Sequence, residues 1–236
     1  MEVRESSRAL VETLGLRTPP IAIAFRESAP DGLPGPRAPE PAGCGYWRVA
    51  AAGAAFASVA SDHHGCPVGA YTHGVALPEE KQRELQGLIG TMLGLEYLKP
   101  EDVPSIPHRT APFGAALYAP LEAAGFSPDV VLVRGNSRQL MLLAEAAQSA
   151  GIDGAGPALG RPTCAVIPQA IQSGRTAVSF GCIGNRVYTG AGDDEAYFAI
   201  PGDKLDLLVA RLGVIARANR ELETFHRGRL EASRVG

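Results

Sequence analysis

The stretch that decides the fold reads Cys44-GYWRVAAAGAAFASVASDHHG-Cys66-PVGAYTHG, over residues 44–74. A second stretch, over residues 164–190, has the same order of features and reads Cys164-AVIPQAIQSGRTAVSFG-Cys182-IGNRVYTG. Each has a cysteine at a predicted helix start, a glycine nine or ten residues later, a predicted strand and a Gly-Cys pair. Each then ends in a Tyr-Thr pair followed closely by glycine. An apolar run precedes each stretch, so we interpret the two as an internal repeat.

A repeat of this kind predicts copies that pack on each other. We expect an α/β protein, with mixed α+β as the alternative, in which two similar halves are related by a pseudo-twofold axis and share a mixed sheet with flanking helices. The halves would span residues 18–76 and 127–192, joined by a linking segment at 77–126. Chance similarity between two alanine- and glycine-rich segments is the alternative to a true repeat.

The other elements follow from local pattern. Residues 129–133 are apolar after the first position and rich in β-branched valine, as in a buried strand. Residues 203–231 have the spacing of a long amphipathic helix. Residues 1–236 would thus form one compact domain. We also predict helices at 3–15, 78–93 and 138–150, with Ser137 as the cap of the last, strands at 21–25, 114–118 and 197–200, and a Gly/Pro loop at 152–162.

Composition limits the classes of partner. The 236 residues are 45% hydrophobic with a net charge of −3, which argues against nucleic acid or a membrane surface as the main partner. No apolar run is long enough to span a bilayer, and the first residues lack the pattern of a secretory signal. We therefore expect a cytoplasmic protein, in which cysteines are ligands or catalytic thiols more often than disulfides.

The four cysteines, Cys44, Cys66, Cys164 and Cys182, are the candidate metal ligands. Thiolates bind iron–sulfur clusters and zinc. Their spacing matches neither a zinc ribbon nor the compact cysteine run of ferredoxins, so the fold would have to assemble any such site. A pseudo-twofold axis would bring the two pairs face to face, and a [4Fe-4S] cluster is the leading hypothesis, with zinc as the alternative.

The surroundings of the cysteines favour ligation. Gly65 and Gly181 precede two of the cysteines, and glycine lets backbone N–H groups approach an inorganic cluster. Cys44 and Cys164 stand at predicted helix starts, where the helix dipole stabilises a thiolate.

Three further residues lie near the expected chemistry. His63 and His64 adjoin the second cysteine and could donate protons or bind the metal, and Arg186 could bind an anionic substrate, as could Arg48 and Asn185. Each of them could equally be an ordinary surface or core residue. Glycine-rich phosphate motifs and the Gly-x-Ser-x-Gly motif are absent from the sequence.

Several segments resemble the domain-of-unknown-function 169 family of bacteria and archaea. They are Gly160-Arg-Pro-Thr-Cys164, Ser179-Phe-Gly-Cys182-Ile-Gly-Asn-Arg186, Pro128-Asp-Val-Val-Leu132 and Ala199-Ile-Pro201. The resemblance extends from about residue 5 to residue 215 and implies no particular reaction. It implies that members of the family are common in anaerobes and that cysteines recur in these loops. Both expectations agree with an iron–sulfur role.

The functional prediction is redox or sulfur chemistry on a small molecule, with a possible electron-transfer partner and a possible homodimer. One alternative is a zinc-bound or metal-free protein that binds a ligand or partner. Another is a cofactor-free thiol enzyme, in which one cysteine attacks and another resolves. The cysteines could also be four buried structural thiols. Haem or a corrinoid is a further alternative as the cofactor.

Overall fold

Short apolar runs form six strands that hydrogen-bond into a single sheet in the computed structural model, which describes residues 2–154 and 162–234. The buried strand predicted at 129–133 is confirmed, as are the strands predicted near residues 21, 114 and 197. The strands are β1 (Ile21–Arg26), β2 (Phe56–Ser58), β3 (Ala115–Pro120), β4 (Val130–Asn136), β5 (Ala177–Ser179) and β6 (Glu195–Pro201).

The strand order is β2-β3-β1-β4-β6-β5, and every neighbouring pair is antiparallel. The prediction of a mixed sheet is therefore wrong, whereas the mixed α/β class is confirmed. The reason is that β3 lies between β1 and β2, and β6 lies between β4 and β5. Strands of the same direction are thereby separated, and each bonds only to an antiparallel neighbour.

Eight α-helices surround the sheet in the described part of the chain. The helix predicted at 138–150 begins one residue earlier, because Asn136 rather than Ser137 is its cap: the Asn136 side chain accepts a hydrogen bond from the Gln139 amide at 3.0 Å. The helices are α1 (Val3–Leu14), α2 (Gly45–Ala51), α3 (Pro67–His73), α4 (Glu79–Gly94), α5 (Ser137–Ala150), α6 (Val166–Ser173), α7 (Ile183–Thr189) and α8 (Leu205–Ala232).

Helices cover both faces of the sheet, which is why the central strands are apolar throughout. On one face, Val131, Val133 and Phe198 pack beneath α1, α5 and α8. On the other face, alternate residues such as Ile23 and Leu132 pack beneath α2 and α6. Cys44, Cys66 and Cys164 pack on this second face, so it positions the candidate site.

The centre of the sheet is the pairing of β1 with β4. In this antiparallel pair Ile21 lies opposite Leu132, and Ile23 lies opposite Val130. The two predicted halves therefore meet along one ladder of backbone hydrogen bonds.

The region between the predicted halves is structured. Residues 77–126 contain α4, β3 and two 3₁₀ turns. Of the predicted loop at 152–162, residues 155–161 lie outside the described part of the chain, and so do Gly160 and Arg161 of the first family segment. Within the described residues, no helix combines the length and the apolar character needed to cross a bilayer.

Candidate functional site

Cys66 and Cys182 are the N-caps of two seven-residue helices, α3 and α7. The Cys66 sulfur accepts a hydrogen bond from the Gly69 amide at 3.3 Å, and the Cys182 sulfur accepts one from the Asn185 amide at 3.4 Å. The sequence analysis predicts no helix at these positions, since seven residues give little helical periodicity. Pro67, at the first position of α3, was the available signal.

Cys44 and Cys164 stand at the predicted helix starts. Cys44 caps α2, and Cys164 lies in a 3₁₀ turn, Thr163–Ala165, that leads directly into α6. Both cysteines are buried and pack against the apolar core on this face of the sheet.

Contacts cross between the two predicted halves at these cysteines. The Cys44 thiol lies beside the side-chain amide of Asn185 on α7, and α2 packs against α7. The Cys164 thiol lies beside the Thr72 side chain on α3, and its 3₁₀ turn packs against that helix. Each helix-start cysteine therefore faces the short helix that belongs to the other half.

The four cysteines, here called the cysteine quartet, are all free thiols. Burial raises the pKa of Cys44 to about 12, with further increases from the charges of Cys66 and Cys182. Burial also raises the pKa of Cys164 well above its ordinary value, with smaller contributions from the other three thiols. These mutual effects place the four sulfurs within electrostatic reach of one another.

The expected stabilisation of thiolates by helix dipoles is outweighed by desolvation. The pKa of Cys66 is raised as well, mainly by burial, although the Gly69 amide partly offsets this. Without a bound cation, the thiols of Cys44, Cys66 and Cys164 are therefore protonated at neutral pH.

The quartet does not surround a point where one ion could sit. Over residues 2–154 and 162–234, no three side chains of His, Cys, Asp or Glu are placed to hold a metal ion.

Two buried polar side chains beside the quartet lack partners. Asn185 is 1% exposed, and neither its Nδ2 nor its Oδ1 has a hydrogen-bond partner among the described residues. The Tyr118 hydroxyl is fully buried, is equally unpartnered, and lies within electrostatic reach of Cys44 and Cys164. Because unsatisfied buried polar groups are rare in folded proteins, this pair points to a missing hydrogen-bonding partner.

The two predicted cofactor-binding glycines have local structural roles. Gly181 has a φ of +86°, in the left-handed region that favours glycine, and its N–H donates to the Ser179 hydroxyl at 3.2 Å. Gly65 packs closely on the loop before Cys44: a Cβ there would lie 3.1 Å from the Glu40 carbonyl oxygen. Both glycines thus shape the turns that present Cys66 and Cys182.

The two predicted histidines point in different directions. His63 is buried, and a Cβ on Gly43, next to Cys44, would lie 3.2 Å from its Nδ1. Burial lowers the pKa of His63 to about 3, so it does not exchange protons near neutral pH. His64 instead places its Nε2 3.2 Å from the Ala76 carbonyl oxygen.

His73 is a further buried imidazole, stacked on His63 with ring centroids 5.2 Å apart. Its Nδ1 donates to the Gly69 carbonyl oxygen at 2.7 Å. Burial lowers its pKa to about 4. Both rings are therefore neutral at physiological pH, and His63 Nδ1 and His73 Nε2 lack partners among the described residues.

Arg186 braces the turn that carries Cys182. Its guanidinium donates hydrogen bonds to the carbonyl oxygens of Phe180, Gly192 and Glu195. The Phe180 bond, at 2.6 Å, holds the residue just before the Gly181-Cys182 turn against β6. The structure therefore gives Arg186 a positioning role in the architecture of the site.

Sequence reasoning overlooked Thr72, Thr163 and Tyr118. Thr163 accepts a hydrogen bond from the backbone N–H of Cys182 and so links the two cysteines of the second half. The repeated Tyr-Thr pair was a usable signal for Thr72, because Thr72 and Thr189 both donate to a carbonyl oxygen within their own short helix at 2.8 Å. Nothing in the local sequence marks Tyr118.

Comparison with known proteins identifies the family of this chain. The profile of the domain of unknown function 169 (DUF169), described as "Uncharacterised ArCR", matches residues 9–211. The chain belongs to this family. All four cysteines lie within the matched range, and the resemblance drawn from the sequence is confirmed.

A similar protein occurs in Methanocaldococcus jannaschii. It is 27% identical over 225 residues, which cover 88% of this chain and 92% of the relative, and its name describes it only as uncharacterized. No solved structure matches the chain significantly.

Proposed function

We propose that this protein binds a [4Fe-4S] cluster through Cys44, Cys66, Cys164 and Cys182 and performs redox or sulfur chemistry on a small molecule. The observation that carries the proposal is the convergence of four free thiols from four separate turns. Thiolates are the ligands that such clusters require. Binding would convert buried, protonated thiols into metal-bound thiolates, since ligation depends on deprotonation.

The proposal includes a pseudo-twofold relation between the two halves, and the strand order supports it. If β1, β2 and β3 correspond to β4, β5 and β6, the order β2-β3-β1-β4-β6-β5 reads the same from either edge. The axis would pass between β1 and β4, at the centre of the sheet.

Matching hydrogen bonds support the same relation. Leu121 donates its N–H to the carbonyl of Pro20, just before β1, and Gly202 donates to that of Asp129, just before β4. Cys66 and Cys182 cap corresponding helices through the same sulfur–amide interaction. Corresponding cysteines would then face each other across the axis.

A cluster suits the spacing of the quartet better than one zinc ion does. Zinc holds thiolate sulfurs at about 2.3 Å, which brings neighbouring sulfurs to within roughly 4 Å of each other. No three potential ligands in the described residues have such a placement. In a four-iron cluster each cysteine binds a different iron, so the sulfurs are farther apart.

The unpartnered groups beside the quartet have a role in this proposal. The Tyr118 hydroxyl and the Asn185 Nδ2 are donors with no acceptor among the described residues. Cluster and cysteine sulfurs accept such hydrogen bonds, and these bonds, with burial, set the reduction potential of a cluster.

A thiol enzyme is the less favoured alternative. A catalytic cysteine needs a lowered pKa, whereas burial raises the pKa values of Cys44, Cys66 and Cys164. Alkylation kinetics separate the possibilities, because a thiol enzyme requires one cysteine that reacts far faster than the others. Zinc in place of iron would favour the structural or binding alternative.

Replacing each cysteine of the quartet by alanine tests the proposal. Each variant, purified without oxygen, should retain several-fold less iron than the parent protein and lose absorbance near roughly 400 nm. Ser173→Ala is the matched control, because it deletes one side-chain atom from an exposed helix position. Iron retention equal to that of the control in all four variants would refute ligation by the quartet.

A further inference from the structure

A shallow cleft opens beside the quartet, where α2 and α7 pack together. About 310 Å³ lies between its walls when the part open to solvent is counted, and its polar lining includes Thr18, Trp47, Arg48, Arg134 and Tyr197. Trp47 follows Cys44 by one helical turn on α2. The Tyr197 hydroxyl lies beside Asn185, whose amide also lies beside the Cys44 thiol.

The cleft presents unsatisfied donors. Trp47 is 3% exposed, and its indole Nε1, which can only donate, has no acceptor among the described residues. The Nε of Arg134 is likewise buried without a hydrogen bond. Glu195 Oε2 lies 3.5 Å from that Nε, so the Trp47 N–H is the donor that most needs a ligand with lone pairs.

The charged side chains among the described lining residues are both arginines, Arg48 and Arg134. Each has an acidic neighbour outside the lining: Glu40 lies 3.0 Å from Arg48, and Glu195 lies 3.5 Å from Arg134. Thr18 accepts a hydrogen bond from Arg134 Nη2 at 3.0 Å, which fixes the guanidinium at the cleft wall. The two glutamates offset the charge of the arginines, so Arg134 offers a ligand the N–H groups that Thr18, the Thr189 carbonyl oxygen and Glu195 do not use.

The remaining walls are apolar. Ile21, Ala51 and Leu132 line the cleft together with the Trp47 ring, which packs edge-on against Tyr197 with ring centroids 5.3 Å apart. Such walls favour a ligand with a short apolar part, and the small volume excludes a bulky one.

We propose that this cleft binds a small aliphatic carboxylate, with its carboxylate group on Arg134 and the Trp47 indole N–H and its short carbon chain against Ile21, Ala51 and Leu132. A planar carboxylate matches the donor geometry of a guanidinium, whereas tetrahedral anions gain no benefit from the apolar walls. The carboxylate would be the substrate of a cluster at the quartet, and this part of the proposal rests on the proposed function. Binding of the carboxylate to the cleft does not depend on the proposed function.

The chain contains one tryptophan, so intrinsic fluorescence reports on this cleft. Titrating butyrate into metal-free protein should change Trp47 emission saturably, and the neutral isostere butyramide should bind at least about tenfold more weakly, a difference of roughly 1.4 kcal/mol. Inorganic phosphate should bind no better than butyramide. No saturable change with butyrate, or equal binding of butyramide or phosphate, would overturn the proposal.

Two variants and a control locate the binding. Arg134→Gln should weaken butyrate binding at least about tenfold. Ala51→Leu fills the cleft from a half-exposed helix position and should abolish binding even if Arg134→Gln fails to fold. Arg17→Gln removes another arginine near Glu195, one that is 74% exposed and outside the lining, and should bind within about twofold of the parent.

A further loss of affinity in Arg17→Gln equal to that in Arg134→Gln would place the anion outside the cleft and refute the assignment. Every titration uses metal-free protein, so the two proposals can fail separately. If butyrate binds but anaerobically prepared protein contains no iron, the cleft proposal is upheld and the cluster proposal is rejected. Iron without butyrate binding would do the reverse.

Discussion

His63 and His73 lie stacked in the core, and their burial makes stability depend on pH. The folded pKa values are about 3 and about 4, against about 6.5 for an unfolded histidine. Below pH 6.5 the unfolded chain binds protons that the native protein does not. The histidines therefore stabilise the fold fully above that pH, and the stabilisation is lost as the pH falls through 4 towards 3.

For metal-free protein, we expect these two histidines to lower the free energy of unfolding by up to about 2.7 kcal/mol per pH unit below pH 6. His63→Gln should remove about half of that slope, as measured by urea denaturation at a series of pH values. His64→Gln is the control, since His64 is only half-buried and its Nε2 lies beside the Ala76 carbonyl oxygen. An unchanged slope in His63→Gln would contradict the buried, neutral assignment.

Residue types carried much of the information on the site. The four cysteines were recognisable because their order matches between the two stretches, and the structure brings them within electrostatic reach. Tyr118 and Thr163 could not be found in this way, because their relation to the cysteines arises only when β3 and the turn before α6 pack together. The sequence analysis proposes that Arg186 binds an anionic substrate. In the structure its guanidinium instead donates hydrogen bonds to three backbone carbonyl oxygens.

Among the elements, α8 shows how one helix carries a buried stripe and an exposed side. Leu208 is fully buried against α1 and α5, whereas its neighbour Leu207 is 44% exposed. The helix was predictable from its spacing at 203–231, and it spans Leu205–Ala232.

This arrangement yields a paired test. Leu208→Ala should lower the free energy of unfolding by about 2–5 kcal/mol, because it leaves a cavity in the core, and Leu207→Ala should change it by less than about 0.5 kcal/mol. Chemical denaturation of the two variants measures both values. Equal losses would mean that α8 does not pack on α1 and α5 as described.

Short elements were the hardest to predict. The helices α3 and α7 span seven residues each, which is too few for periodicity to separate them from loops. The strand predicted at 114–118 was correctly placed along the chain, but its position between β1 and β2 depends on long-range pairing that sequence pattern does not encode.

At the scale of the whole molecule, one sheet joins both predicted halves through the β1–β4 ladder. The error of a mixed sheet arose here, because repeated strand–helix–strand order is typical of parallel pairing, and the inserted strands β3 and β6 changed the neighbours. A shared sheet favours cooperative unfolding of the halves.

We expect removal of bound metal to lower the melting temperature while leaving a single transition. A cofactor that binds the native state alone stabilises it, and the four cysteines of the quartet come from both predicted halves. Calorimetry of the protein before and after chelation measures the shift, and Cys44→Ala should show a much smaller one. A shift of equal size in Cys44→Ala would mean that the quartet does not bind the stabilising metal.

The most direct measurement is the content of iron, acid-labile sulfide and zinc in protein purified without oxygen. Ligation of a [4Fe-4S] cluster by the quartet predicts a brown protein with about four iron and four sulfide per chain and little zinc. A colourless protein that contains no iron or sulfide, with or without zinc, would contradict it.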